Sequence, residues 1–166
     1  TYTNPIRKAA DPRIALVDGM YYYMYTSSST LSMYKAANVA DLAYSVGEMI
    51  FDATKASDAL GGRIHCIWPS KLEYFPPEAF GEEYAGWYLF FSTFGRELDG
   101  LGSTATDGQS RRSYVLKCTS NDLQGKWVNP VTGEEGVPER FCSDTCDWVN
   151  AVDWCAGETA LCFGGR

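Results

Sequence analysis

Asp11 stands directly before Pro12, ahead of two short runs, Ile14 to Val17 and Met20 to Tyr25. A carboxylate at the head of a strand can take a proton from water when the fold presents it to a cleft. The same dipeptide also starts turns, because Asp bonds its own backbone and Pro presets φ. Six cysteines form the second group: Cys66, Cys118, Cys142, Cys146, Cys155 and Cys162. An even number with clustering points to disulfides or buried thiols and to an oxidising compartment, with the pairing left open. Zinc is the competing reading, but Cys142-x3-Cys146 has no matched second pair and His65 is the only histidine. His65 reads as a strand residue between Ile64 and Cys66, and Arg111-Arg112 as a solvated pair. No metal and no cofactor is expected. Aromatic residues, at 11 Tyr, 8 Phe and 5 Trp, are abundant enough to fill a core and still line a cleft. Trp68 reads as half core and half cleft wall, since the C–H faces of sugars stack on such rings.

The elements that must position these groups are short strands. Ile14 to Val17 is followed by Asp18-Gly19, a hairpin turn signal, and then by the aromatic strand Met20 to Tyr25. Leu31 to Ala36 and Glu48 to Phe51 complete a four-strand meander. The pattern recurs in Ile64 to Phe75, Gly86 to Ser92, Arg112 to Cys118 and Lys126 to Val128. Pro76, Pro77 and Gly81 mark a longer connection, and 95–110 reads as an exposed loop. A third unit begins with Val149 to Trp154 and Thr159 to Phe163. The turn glycines Gly19, Gly86 and Gly157 recur at roughly 70 positions, a long repeat of four-strand units that marks a propeller. The only helical candidate, Asn38 to Tyr44, is too short to organise a fold. The expected fold class is all-β, a β-propeller of roughly two and a half blades. Blade 1 is expected over about 10–55, blade 2 over about 63–130 and the start of blade 3 over about 148–166. Closed propellers use about four to eight blades, and an open array exposes unpaired strand edges. The chain is therefore expected to be a fragment, or to complete its ring with another chain or segment. Its start at Thr1 rather than Met fits a processed or trimmed product.

The 166 residues carry a formal net charge of −7, and 45% are hydrophobic. That composition is globular rather than disordered. An acidic chain repels phosphate backbones, so nucleic acid is not an expected partner. No apolar run approaches the ~20 residues of a membrane span, and no basic amphipathic stretch suits a membrane surface. Nothing at Thr1 has the charged start and apolar stretch of a signal peptide.

Several segments together resemble glycoside hydrolase family 43. They are Asn4-Pro5-Ile6, Ala10 to Ile14, Asp18 to Tyr22, Ile67 to Tyr74, Arg112 to Leu116, Leu123 to Trp127 and Ala151-Val152-Asp153. The likeness spans nearly the whole chain and lies in the order and spacing of these segments. It implies a five-bladed propeller that hydrolyses arabinose- or xylose-containing polysaccharide with inversion. One carboxylate would activate water, a carboxylic acid would protonate the leaving oxygen, and a third carboxylate would tune the acid. By position Asp11 matches the base and Asp153 the modulating aspartate, each opening the innermost strand of its blade. Trp68 and Ser70 fall on the family's substrate strand. Where the family shows Trp-Ala-Pro-Glu, this chain has Trp68-Pro69-Ser70-Lys71, so Lys71 is expected to place a positive charge where the family has a carboxylate. The family's acid is a glutamate on the fourth blade. Glu134, Glu135 and Glu139 do not match it, so hydrolysis is expected to need the missing blades. The resemblance makes the expected protein an arabinofuranosidase or xylosidase, secreted, with oligosaccharide or polysaccharide as partner. The alternative is a non-catalytic module that keeps the scaffold for carbohydrate binding or for assembly.

Overall fold

The computed structural model describes residues 9–56, 64–95 and 111–140. Over these residues the chain forms two antiparallel sheets. In the first, β1 (Arg13–Val17), β2 (Met20–Met24), β3 (Thr30–Ala36) and β4 (Gly47–Asp52) pair in chain order. The turn after β1 follows from its residues. Asp18 and Gly19 both take positive φ, 49° and 77°, and two such residues close the tightest hairpin without splaying its strands. Val17 therefore lies opposite Met20, and the register runs outward to Arg13 opposite Met24. Gly47 is required for a different reason. It lies opposite Tyr34, whose ring would stand 2.7 Å from a Cβ placed there. A single 3-10 turn at Ala40–Ala43 occupies the helical candidate between β3 and β4.

The second sheet repeats the plan with β5 (Ile64–Phe75), β6 (Gly86–Gly95), β7 (Arg111–Cys118) and β8 (Trp127–Val128). A short β9 (Glu139–Arg140) also pairs with β7. The connection marked by the two prolines contains one helical turn, α1 (Pro77–Phe80), with proline where a first-turn amide would have no partner. Its Phe80 packs on Phe75 at 4.7 Å between ring centres. Phe75, Tyr88, Phe90 and Val115 form a smaller cluster on that face.

Alternation along the strands gives each sheet an apolar face, and the two faces share one core. Met24, Leu31, Met33 and Phe51 from the first sheet meet Ile67, Leu89, Phe91, Leu116 and Trp127 from the second. Phe51 and Phe91 stand 5.1 Å apart. Full burial of each such side chain contributes about 1.5–3 kcal/mol. The opposite face of the first sheet leaves Ile14, Leu16 and Met49 exposed.

A polar clamp joins the sheets beside this core. The Tyr22 hydroxyl donates to Asp122 Oδ1 at 3.1 Å, and Lys35 Nζ lies 3.1 Å from Oδ2. Gln124 adds its backbone amide to the same carboxylate, and its side-chain amide donates to the Met33 carbonyl at 2.9 Å. Burial alone would raise the Asp122 pKa, but the Gln124 amide, Lys35 and Tyr22 outweigh it and hold it below the ordinary 3.8. Lys35 is raised above its ordinary 10.5 by its contacts with Tyr22 and Asp122. Tyr22 is raised above 10.0, mainly by burial. A lowered carboxylate stabilises the fold above its unfolded pKa and loses that contribution as pH falls through the folded value. A raised Lys or Tyr contributes below its unfolded value and loses it as pH rises through the folded one. The clamp is thus complete across the neutral range and fails at both extremes.

Two outcomes follow for equilibrium unfolding in urea. Met33→Ala, which empties a fully buried site, should cost about 2–5 kcal/mol. Asp122→Asn should cost at most about 1 kcal/mol, because solvent screens so exposed a carboxylate. That difference should be flat between about pH 5 and 9 and vanish in acid as the wild-type carboxyl protonates.

Candidate functional site

Asp11 sits two residues before the start of β1 with φ at 51°, a left-handed backbone that Asp tolerates better than most residues. The strand register, continued outward, would set Asp11 opposite Thr26 and have the pair exchange backbone bonds. Instead the Thr26 amide donates to the Ala10 carbonyl at 3.1 Å. The ladder is displaced by one residue where Asp11 turns, and such breaks re-aim side chains. The exposed Asp11 carboxylate is met by the Thr26 hydroxyl, which donates to Oδ2 at 2.7 Å. Thr26 is the residue that strand patterning alone does not single out. The signal was present, because counting outward from the Asp18-Gly19 turn arrives at it.

The next residue ties this corner to the second sheet. Ser27 and Ile67 exchange backbone bonds, Ser27 N–H to the Ile67 carbonyl at 3.1 Å and the reverse at 2.8 Å. Ile67 precedes Trp68, which lies opposite Ser92 in the ladder. The fold therefore brings the head of β1 and the Trp68 segment of β5 to one corner. Pro69 is tolerated because β5 is an edge strand, where a missing amide costs no ladder bond. The pairing shifts between Pro69 and Lys71, which leaves Ser70 as an extra residue in the strand. Lys71 does not present a free charge: its ammonium lies 2.8 Å from Glu73 Oε2. Asp153, the expected modulating aspartate, lies outside the described residues.

The glutamates between the second and third expected units have other work. Glu135 pairs with Lys126 at 2.8 Å, and Glu139 accepts from the Asn129 amide at 3.0 Å. Glu134 and Glu135 line a groove of about 700 Å³ between β4 and β8, with Met49, Phe51, Lys55 and Trp127. That groove lies along the sheet edges opposite to β1 and β5. Its indole offers no stacking face, because Trp127 is buried and donates to the Leu123 carbonyl at 3.0 Å. The oriented carboxylate at the β1–β5 corner is the stronger site candidate for that reason. Cys118 is a buried thiol bonded to the Asp122 carbonyl, its pKa raised chiefly by burial. Among the described residues no group of three or more His, Cys, Asp or Glu could hold a metal ion. Among the same residues no helix is long and apolar enough to cross a membrane.

No protein-family model matches the chain, and no curated protein matches it. Among solved structures it is similar to an α-L-arabinofuranosidase from Lactobacillus brevis, with 20% identity and a TM-score of 0.56. The likeness covers 84% of this chain and 37% of that one. The fold is β-propeller-like. Its two described sheets, of four and five strands, are both antiparallel. An α-L-arabinofuranosidase from Podospora anserina, solved with cellotriose, is similar at 16% identity and a TM-score of 0.42, covering 84% of this chain and 34% of that one.

One buried group near this corner lacks a partner. Thr93 lies opposite Ile67 in the ladder, fully buried, and its hydroxyl makes no hydrogen bond. A buried unsatisfied hydroxyl costs about 1–3 kcal/mol. Thr93→Val should therefore raise stability by about 1 kcal/mol in urea unfolding. A loss of stability would reveal a polar partner such as an internal water.

Proposed function

We propose that this chain supplies part of the active face of an extracellular inverting glycosidase acting on arabinose- or xylose-containing polysaccharide. Asp11 is its water-activating base. The carrying observation is the corner itself: an Asp in a left-handed backbone, its carboxylate oriented by one hydroxyl and joined through Ser27–Ile67 to the Trp68 strand. A propeller-like fold shared with an arabinofuranosidase supports the same reading. In this reaction Asp11 takes a proton from water as the water oxygen bonds to the anomeric carbon. The glycosidic C–O bond breaks on the opposite face, and its oxygen takes a proton from a carboxylic acid. Trp68 and Ser70 belong to the strand that would contact the sugar, and Asp153 would tune the acid. The acid and the remaining blades would come from further chain or from another chain that completes the ring.

A second reading is favoured by the glutamates. Glu135 and Glu139 are held in structural pairs, and Glu134 lines the groove away from β1. A non-catalytic carbohydrate-binding module would keep the corner and lack the acid.

With the propeller completed by the remaining blades, an aryl arabinofuranoside or xyloside separates the two, because its leaving group departs without protonation. Turnover with inverted product, lowered about 10²–10⁴-fold by Asp11→Asn, is the expected result for the base. Binding of arabinan or xylan fragments by calorimetry without turnover, lost in Trp68→Ala, would select the binding module. Neither turnover nor binding would remove both readings.

A further inference from the structure

We infer that Thr26 is the positioning residue of Asp11, an inference that rests on reading Asp11 as the base. Three observations meet at this residue. Its hydroxyl makes the one hydrogen bond that the Asp11 carboxylate receives among the described residues, at 2.7 Å to Oδ2. Its amide is held by the Ala10 carbonyl, and the following residue is bonded to Ile67 in both directions. The Thr26 backbone is therefore pinned on one side to the Asp11 segment and on the other to the second sheet. A β-branched side chain has few rotamers open to it, so a pinned backbone delivers the hydroxyl in one direction.

The chemistry follows from which oxygen is engaged. Oδ2 accepts from Thr26, while among the described residues no hydrogen bond is made to Oδ1 of this exposed residue. A base needs one oxygen free for the proton it removes, and a fixed plane for the carboxylate. Small errors in placing a reacting group cost large factors in rate. Asp11 precedes its strand and has left the regular ladder, so the ladder does not supply that fix. Thr26 does, and through Ser27 it refers the carboxylate to the strand that carries Trp68.

The test uses the whole chain with Thr26→Val, which keeps the shape and removes the hydroxyl, and Thr26→Ser, which keeps the hydroxyl. Thr26→Ala serves as a second deletion should the valine disturb folding. The first readout is the pair of Hα–Hβ couplings of Asp11 by nuclear magnetic resonance. One large and one small coupling are expected in the wild type, averaged values in Thr26→Val, and recovery in Thr26→Ser. The second readout is hydrolysis of the aryl glycoside by the chain with its propeller completed. A fall in kcat of roughly 10–100-fold at unchanged KM is expected in Thr26→Val, with most of it regained in Thr26→Ser. Couplings that stay unequal in both deletions would overturn the inference, as would an unchanged kcat in an active protein. If the wild-type chain shows no turnover even with the propeller completed, the reading of Asp11 as a base fails by itself, and the couplings alone decide the positioning role.

Discussion

A twisted antiparallel sheet cannot stand alone in water with an apolar face exposed, and this chain answers that constraint by setting two sheets against each other. Leu31, Met33 and Phe51 on one side and Leu89, Phe91, Leu116 and Trp127 on the other are buried only because both sheets are present. Everything at the candidate site hangs from this contact. Ser27 reaches Ile67 because the packing of the sheets brings the ends of β2 and β5 together, and Asp11 is held by the residue next to Ser27. The clamp of Tyr22, Lys35, Asp122 and Gln124 guards the same junction.

The candidate site sits where the regular ladder breaks. Asp11 leaves the ladder in a left-handed turn, and Ser70 is an extra residue in β5. Both breaks lie at edge strands, where a lost ladder bond is replaced by solvent and costs little. Inside a sheet either would leave backbone groups unpaired. The unpartnered hydroxyl of Thr93 lies in an interior strand, where solvent cannot compensate it.

Charge is used sparingly at the corner and heavily elsewhere. Lys71 faces Glu73, Lys126 faces Glu135 and Lys35 faces Asp122. Asp11 is met by a neutral donor, the Thr26 hydroxyl. A hydroxyl orients a carboxylate without cancelling its charge, which is the condition a base requires. The positive charge expected at Lys71 has a partner for a local reason. Residues two apart on a strand share a face, and Glu73 is two residues on.

Much of the fold was legible from residue order alone. The Asp18-Gly19 turn, the alternating strands and the repeat of four-strand units depend on local backbone preference and on period-2 patterning, which neighbouring residues carry. Asp11 was legible as a candidate because Asp before Pro at a strand head is a local signal. Its partner was only half legible: the hairpin register leads to Thr26, but the displaced ladder and the hydroxyl bond arise from the left-handed turn at Asp11. The bond from Tyr22 to Asp122 spans 100 positions of chain, and the Ser27–Ile67 bridge likewise joins separate sheets. No local preference encodes such pairs. They exist because two apolar faces exclude water together, and that packing decides which polar groups at the margins come within hydrogen-bonding distance.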